Sequence, residues 1–140
     1  MKTYIFSSLL VMIMLFNTTN TKAQDLDRNK NNYVVLTKKV PQLQPIILTA
    51  QALKAEEGDK FGDFQVIICG PLIGEITDTE KMGNFIEQAQ KFKVQLLACG
   101  FSLDKFKVDR TKIPREIRIV ENGILHNFQL QNKGYKSVSL

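Results

Sequence analysis

The most nucleophilic side chains in this sequence are two thiols, and each closes an apolar run: Val66-Ile67-Ile68-Cys69-Gly70-Pro71 and Leu96-Leu97-Ala98-Cys99-Gly100-Phe101-Ser102-Leu103. Thiols so placed can form a disulfide, act as a redox pair, hold a transferable sulfur or sit inert in a core. Gly100 lets the chain turn and leaves the backbone beside Cys99 uncrowded. Ser102 then opens a short helical turn, whose N–H groups would lower the thiol pKa and favour the thiolate, the form that attacks and carries sulfur. Cys69-Gly70-Pro71 is a turn and not a CxxC motif. A bond between the two cysteines requires neighbouring strands in register, because parallel strands lie about 4.8 Å apart and disulfide Cα atoms about 4.4–6.8 Å apart. The spacing in sequence leaves this open.

Other chemistry is sparse. Lys38 and Lys39 follow the first strand, where they either attract an anionic sulfur species and lower a thiol pKa or lie in solvent as loop lysines. Asp104 and Lys105 flank the Cys99 segment. His126 is the only histidine. It has no second ligand at metal spacing and reads as a half-exposed helix residue, so no metal site is expected. No Gly-rich dinucleotide loop, phosphate loop or GxSxG elbow is present, and no cofactor is expected. The basic residues are scattered and not interleaved with aromatics, which gives no support to nucleic-acid binding.

Residues 1–23 carry Lys2, an apolar stretch from about Tyr4 to Phe16 and a small residue at Ala23, the pattern of a secretory signal peptide. The apolar stretch is shorter than the roughly 20 residues a membrane span needs. The reading is an exported protein, periplasmic or secreted, with no membrane span in the mature chain. Without Lys2 and Lys22 the formal net charge of +5 falls to +3. Residues 24–32 read as a polar, flexible lead-in and 33–140 as one domain. In an oxidising compartment an even pair of thiols is often oxidised.

The elements that must position the thiols alternate. Tyr33–Leu36, Phe64–Ile68, Val94–Ala98, Ile117–Val120 and Tyr135–Val138 read as strands, nearly all apolar and so expected to be buried on both faces. Between them run helical stripes: Leu43, Ile46, Ile47, Ala50 and Leu53, stopped by Gly58; then Met82, Phe85, Ile86, Ala89 and Phe92, behind the capping-box spacing Thr77-Asp78-Thr79-Glu80. Ser102–Phe106 and Val108–Ile113 suggest short turns. A last helix after Asn122-Gly123 should turn Ile124, Leu125, Phe128 and Leu130 inward and stop at Gly134. Such alternation builds a mostly parallel five-stranded sheet in a three-layer α/β/α sandwich. Chemistry in that architecture gathers at the carboxyl ends of the strands, where both cysteines lie.

Three segments resemble the DsrE/DsrF-like family of small α/β sulfur-relay proteins: Val66–Pro71, where the family has a Gly-Pro-Gly turn; Leu96–Leu103, with its Ala-Cys-x-x-Ser-Leu pattern; and Ile119–Gly123 continuing to Leu130–Tyr135. The likeness spans residues 32–140. It implies a persulfide on the cysteine matching Cys99, passed between a thiol or sulfane-sulfur donor and an acceptor protein, and assembly into trimers or hexamers. Cys69 would be a resolving thiol, with Gly70, Gly100, Ser102 and Lys38 as binding residues. The chain departs from the pattern at Leu72, which replaces the second glycine of the turn. Beside this stand a non-catalytic binding or assembly module with structural cysteines and a general thiol–disulfide redox role.

Overall fold

Each buried apolar run forms a strand, and a helix or loop returns the chain so that the next strand runs the same way. A computed structural model describes residues 29–140, and the expected signal peptide lies outside them. Strands β1 (Asn31–Thr37), β2 (Phe61–Ile68), β3 (Val94–Cys99), β4 (Arg118–Val120) and β5 (Lys136–Ser139) make one sheet in the order β4-β3-β2-β1-β5. Every pairing is parallel, where the sequence suggested mostly parallel. The helices are α1 (Leu43–Glu57), α2 (Thr79–Phe92), α3 (Gly100–Lys105) and α4 (Gly123–Asn132). Among the described residues no helix is long and apolar enough to cross a membrane.

The chain steps along the sheet from β1 to β4 with α1 and α2 packed side by side on one face. Helix α4 then carries it back across the other face, touching β3, β2 and β1 on the way to β5. The result is a three-layer α/β/α sandwich with a single helix on one side. The expected stripes of α1 and α2 face the core: Leu43, Ile46, Ile47, Ala50, Met82 and Ala89 are buried, and Leu53, Phe85, Ile86 and Phe92 pack at its edge. Asp78, rather than Thr77, caps α2 by accepting from Lys81 N–H at 3.0 Å.

Three expectations need correction. The lead-in ends earlier than residue 32: β1 begins at Asn31, and buried Asn32 accepts the Asp63 N–H at 2.8 Å. Only β1, β2 and β3 are well buried; Arg118, Ile119 and all of β5 are exposed, because β4 and β5 are edge strands with one neighbour each. On α4 the inward residues are Gly123, Asn127 and Leu130, whereas Ile124, Leu125 and Phe128 face solvent. The rotation is set by close approach at Gly123 and by the Ser137 hydroxyl, which donates to Asn127 Oδ1 at 2.9 Å.

Polar side chains fill the part of the α4 face nearer the strand starts. Asp63 accepts from Gln65 Nε2, Gln95 Nε2 and Tyr135 Oη, each at 2.6 Å. Gln65 Oε1 in turn meets His126 Nε2 at 3.0 Å. The histidine thus ties α4 to β2, and burial, then the charges of Arg118 and Lys133, hold its pKa below the usual histidine value.

Candidate functional site

Ile68 lies opposite Ala98 in the β2–β3 register, so Cys69 and Cys99 leave neighbouring strands side by side. Side chains alternate across a sheet, and Ile67, Cys69 and Cys99 all face α4. Both are free thiols, 7% and 3% exposed, and they touch through a hydrogen bond. The Cys69 N–H donates to Thr37 O at 2.9 Å, which carries the β1–β2 ladder one residue beyond the strand.

Several donors converge on Cys99 Sγ. The Gly123 N–H, at the first residue of α4, lies 3.2 Å away. The Ser102 hydroxyl and backbone N–H and the Cys69 thiol supply the rest. Ser102 Oγ itself accepts the Gly70 N–H at 3.0 Å, which leaves its own proton free for the sulfur. Burial opposes the charge on Cys99, but these donors outweigh it and hold the thiol below its usual pKa. Cys69 goes the other way: burial, then the charge and hydrogen bond of Cys99, push it up to about 12, with Lys38 pulling it back only in part.

The glycines set the geometry. A Cβ on Gly123 would stand 2.6 Å from Cys69 Sγ, 2.7 Å from Ile67 Cγ2 and 3.1 Å from Cys99 Cβ. Gly100 sits 3.1 Å, by the same measure, from the carbonyl oxygens of Val120 and Glu121, and the Phe101 N–H donates to Glu121 O at 2.8 Å. These contacts dock the Cys99 loop against the β4–α4 loop. Gly70 has φ +84°, a left-handed conformation that glycine adopts freely, and the Lys38 stem packs against it.

The structure therefore brings Cys69, Cys99, Gly70, Gly100, Ser102 and Lys38 to one sheet edge. Asp104 instead pairs with Arg110 at 2.7 Å, and Arg110 also donates to Gly100 O at 3.4 Å. Sequence reasoning missed Gly123 and Asn122 as parts of the site. The Ser102 turn it credited does supply donors to Cys99, a hydroxyl and a backbone N–H, but it is not the sole source. The six-residue α3 is too short to supply a macrodipole of weight, and a second backbone donor, the Gly123 N–H, comes from the start of the ten-residue α4. The one available signal was Asn122-Gly123, readable as a helix start but not as a contact to β2 and β3. Among the described residues no group of three or more His, Cys, Asp or Glu stands together as metal ligands.

A groove of about 610 Å³ lies between α4 and the β1–β5 edge, lined by Leu36, Lys38, Ile124, Phe128 and Leu140 among others, and neither cysteine lines it. It lies where β1 and β5 meet. The connection leaving β1 takes one face of the sheet and the one arriving at β5 takes the other, the position where ligands collect in open α/β sheets.

No family model matches the sequence, and no curated protein is similar enough to match it. Among solved structures, the chain is similar in fold to a protein of unknown function, MTH1491 from Methanobacterium thermoautotrophicum, with a TM-score of 0.66, 12% identity, and 79% of this chain and 99% of that chain covered. At that identity the likeness is one of fold: both are small α/β proteins.

Proposed function

We propose that this protein handles sulfane sulfur, with Cys99 as the acceptor, in the manner that its resemblance to the DsrE/DsrF-like proteins implies. The observation that carries the reading is the convergence of the Gly123 N–H, the Ser102 hydroxyl and the Cys69 thiol on one sulfur. Such a site holds negative charge before and after transfer, because a persulfide is an anion as well. The Cys99 thiolate attacks the outer sulfur of a donor persulfide. A new S–S bond forms on Cys99, the donor's S–S bond breaks, and the donor leaves as a thiolate. A second thiol takes the sulfur onward by the same exchange. Cys69 can act as that thiol, releasing hydrosulfide and leaving a Cys69–Cys99 disulfide. Donor and acceptor are thiol proteins or small sulfane species in the compartment to which the chain is exported.

The partner on the solvent side of α4 is a second copy of this chain. That helix has no charged residue in its ten, and it exposes Ile124, Leu125 and Phe128 beside Leu140. The patch amounts to roughly 400 Å², the size of the largest apolar patch on a typical monomer, which is often functional. Contributed by two copies, it supplies about 800 Å², roughly half of the ~1,600 Å² of a standard interface, and the uncharged amides that rim it on the helix extend the contact.

Cold cyanolysis tests the chemistry. After incubation with a sulfane-sulfur donor, Cys69→Ser should release about one thiocyanate per chain, the wild type that amount less whatever Cys69 has resolved to disulfide, and Cys99→Ser almost none. Equal release from Cys99→Ser would sink the assignment.

A further inference from the structure

We propose that the sulfur donor for Cys99 is a small inorganic polysulfide anion rather than a glutathione or protein persulfide. This rests on the sulfur-acceptor reading and narrows it. Three observations point the same way. First, the acceptor sulfur is closed in: Cys99 is 3% exposed and its neighbour Cys69 is 7% exposed. Second, the cover is backbone at contact distance. Gly123 lies so near Ile67, Cys69 and Cys99 that one added methyl group would stand 2.6–3.1 Å from all three. Displacement at sulfur needs the attacking sulfur and the breaking S–S bond in line, so the donor must enter end-on. An unbranched chain of sulfur atoms is slim enough for that approach. A peptide-borne persulfide carries its bulk one bond behind the sulfur to be transferred. Third, a cation, Lys38, stands beside the thiols. Its stem packs on Gly70 beside Cys69, and it lines the groove that reaches Ile124, next to Gly123. A thiolate attacking an anionic chain meets charge repulsion, which a neighbouring ammonium offsets.

The step balances without an outside oxidant or reductant. The Cys99 thiolate and hydrogen disulfide anion, HSS⁻, give the Cys99 persulfide anion and hydrosulfide, HS⁻. One S–S bond forms on Cys99 and one breaks in the donor. The single proton and the electron pair of the broken bond leave with hydrosulfide. A longer chain reacts in the same way and departs one sulfur shorter.

The test is the rate at which Cys99 gains mass in the full chain with three probes: sodium polysulfide, glutathione persulfide and the small neutral methyl methanethiosulfonate. Polysulfide should load Cys99 at least about tenfold faster than glutathione persulfide, the low end of what a steric mismatch costs in a closed site. Lys38→Gln should slow polysulfide about threefold, the scale of one exposed charge, and leave methyl methanethiosulfonate unchanged. Equal rates with glutathione persulfide would overturn the size argument while leaving Cys99 an acceptor. An unaltered polysulfide rate in Lys38→Gln would overturn the charge argument. If no probe modifies Cys99 in the folded chain, though all modify it after unfolding, the acceptor reading itself falls and this inference with it.

Discussion

Cys69 and Cys99 carry the same side chain on adjacent strands, yet their surroundings push them in opposite directions. Cys99 receives hydrogen bonds and falls below its usual pKa; Cys69, buried beside it, rises to about 12 and remains a donor. The pair titrates as a unit in which one thiolate is stabilised and the second is suppressed. A pH series of iodoacetamide alkylation therefore should show Cys99 reacting with a midpoint below that of an ordinary thiol and Cys69 nearly silent through neutral pH. Ser102→Ala removes the hydroxyl that donates to the sulfur. The midpoint should move up, and alkylation near neutral pH should slow about tenfold, matching the loss of one charge-assisted hydrogen bond of about 1.5 kcal/mol. An unmoved midpoint would show that Ser102 serves only the Gly70 N–H. The residues at this scale were legible in the sequence because they are local: a strand end, a glycine and a serine three positions on.

At the scale of elements, Gly123 lies 24 positions after Cys99, and only the path of α4 across the sheet brings it there. Strands β1 to β3 and the inward stripes of α1 and α2 were legible because their apolar periods match their burial. The rotation of α4 was not. Its Ile124, Leu125 and Phe128 look like a core stripe, whereas a glycine and an asparagine, which carry no apolar signal, face the sheet. Asn122 Oδ1 caps α4 by accepting the N–H groups of Ile124 at 3.0 Å and Leu125 at 3.1 Å. Asn122→Ala should cost about 1 kcal/mol in denaturant unfolding and loosen the first turn that carries the Gly123 N–H. Asp78→Ala, which removes the cap of α2, should cost about as much and leave the thiols alone. The expected distinction is a raised Cys99 alkylation midpoint in Asn122→Ala only. The same rise in both variants would mean that global destabilisation, not the α4 cap, moves the thiol.

For the whole molecule, the strand order explains both the site and the bare face. Stepping from β1 to β4 uses α1 and α2 on one side, and the return to β5 leaves one helix for the other side. That helix must close the thiol end, anchor to Gln65 through His126 and span to β5, so its outer surface is left without a partner among the described residues. The order β4-β3-β2-β1-β5 was not legible in the sequence, because the apolar runs identify strands but not which strands are neighbours. Light scattering during size exclusion should give a multiple of the chain mass. Phe128→Lys, which places a charge at a position 59% exposed, should yield the monomer with unchanged unfolding of the single chain. A wild-type monomer at high micromolar concentration would remove the second copy from the account.

Cys99 is tested as the sulfur acceptor by the intact mass of the unreduced protein before and after exposure to polysulfide, in the wild type, Cys69→Ser and Cys99→Ser. A gain of about 32 Da, one sulfur, that is lost on reduction, kept in Cys69→Ser and absent in Cys99→Ser is the predicted result. A mass two hydrogens below the dithiol and unmoved by polysulfide, or a gain that survives in Cys99→Ser, would contradict Cys99 as the sulfur acceptor.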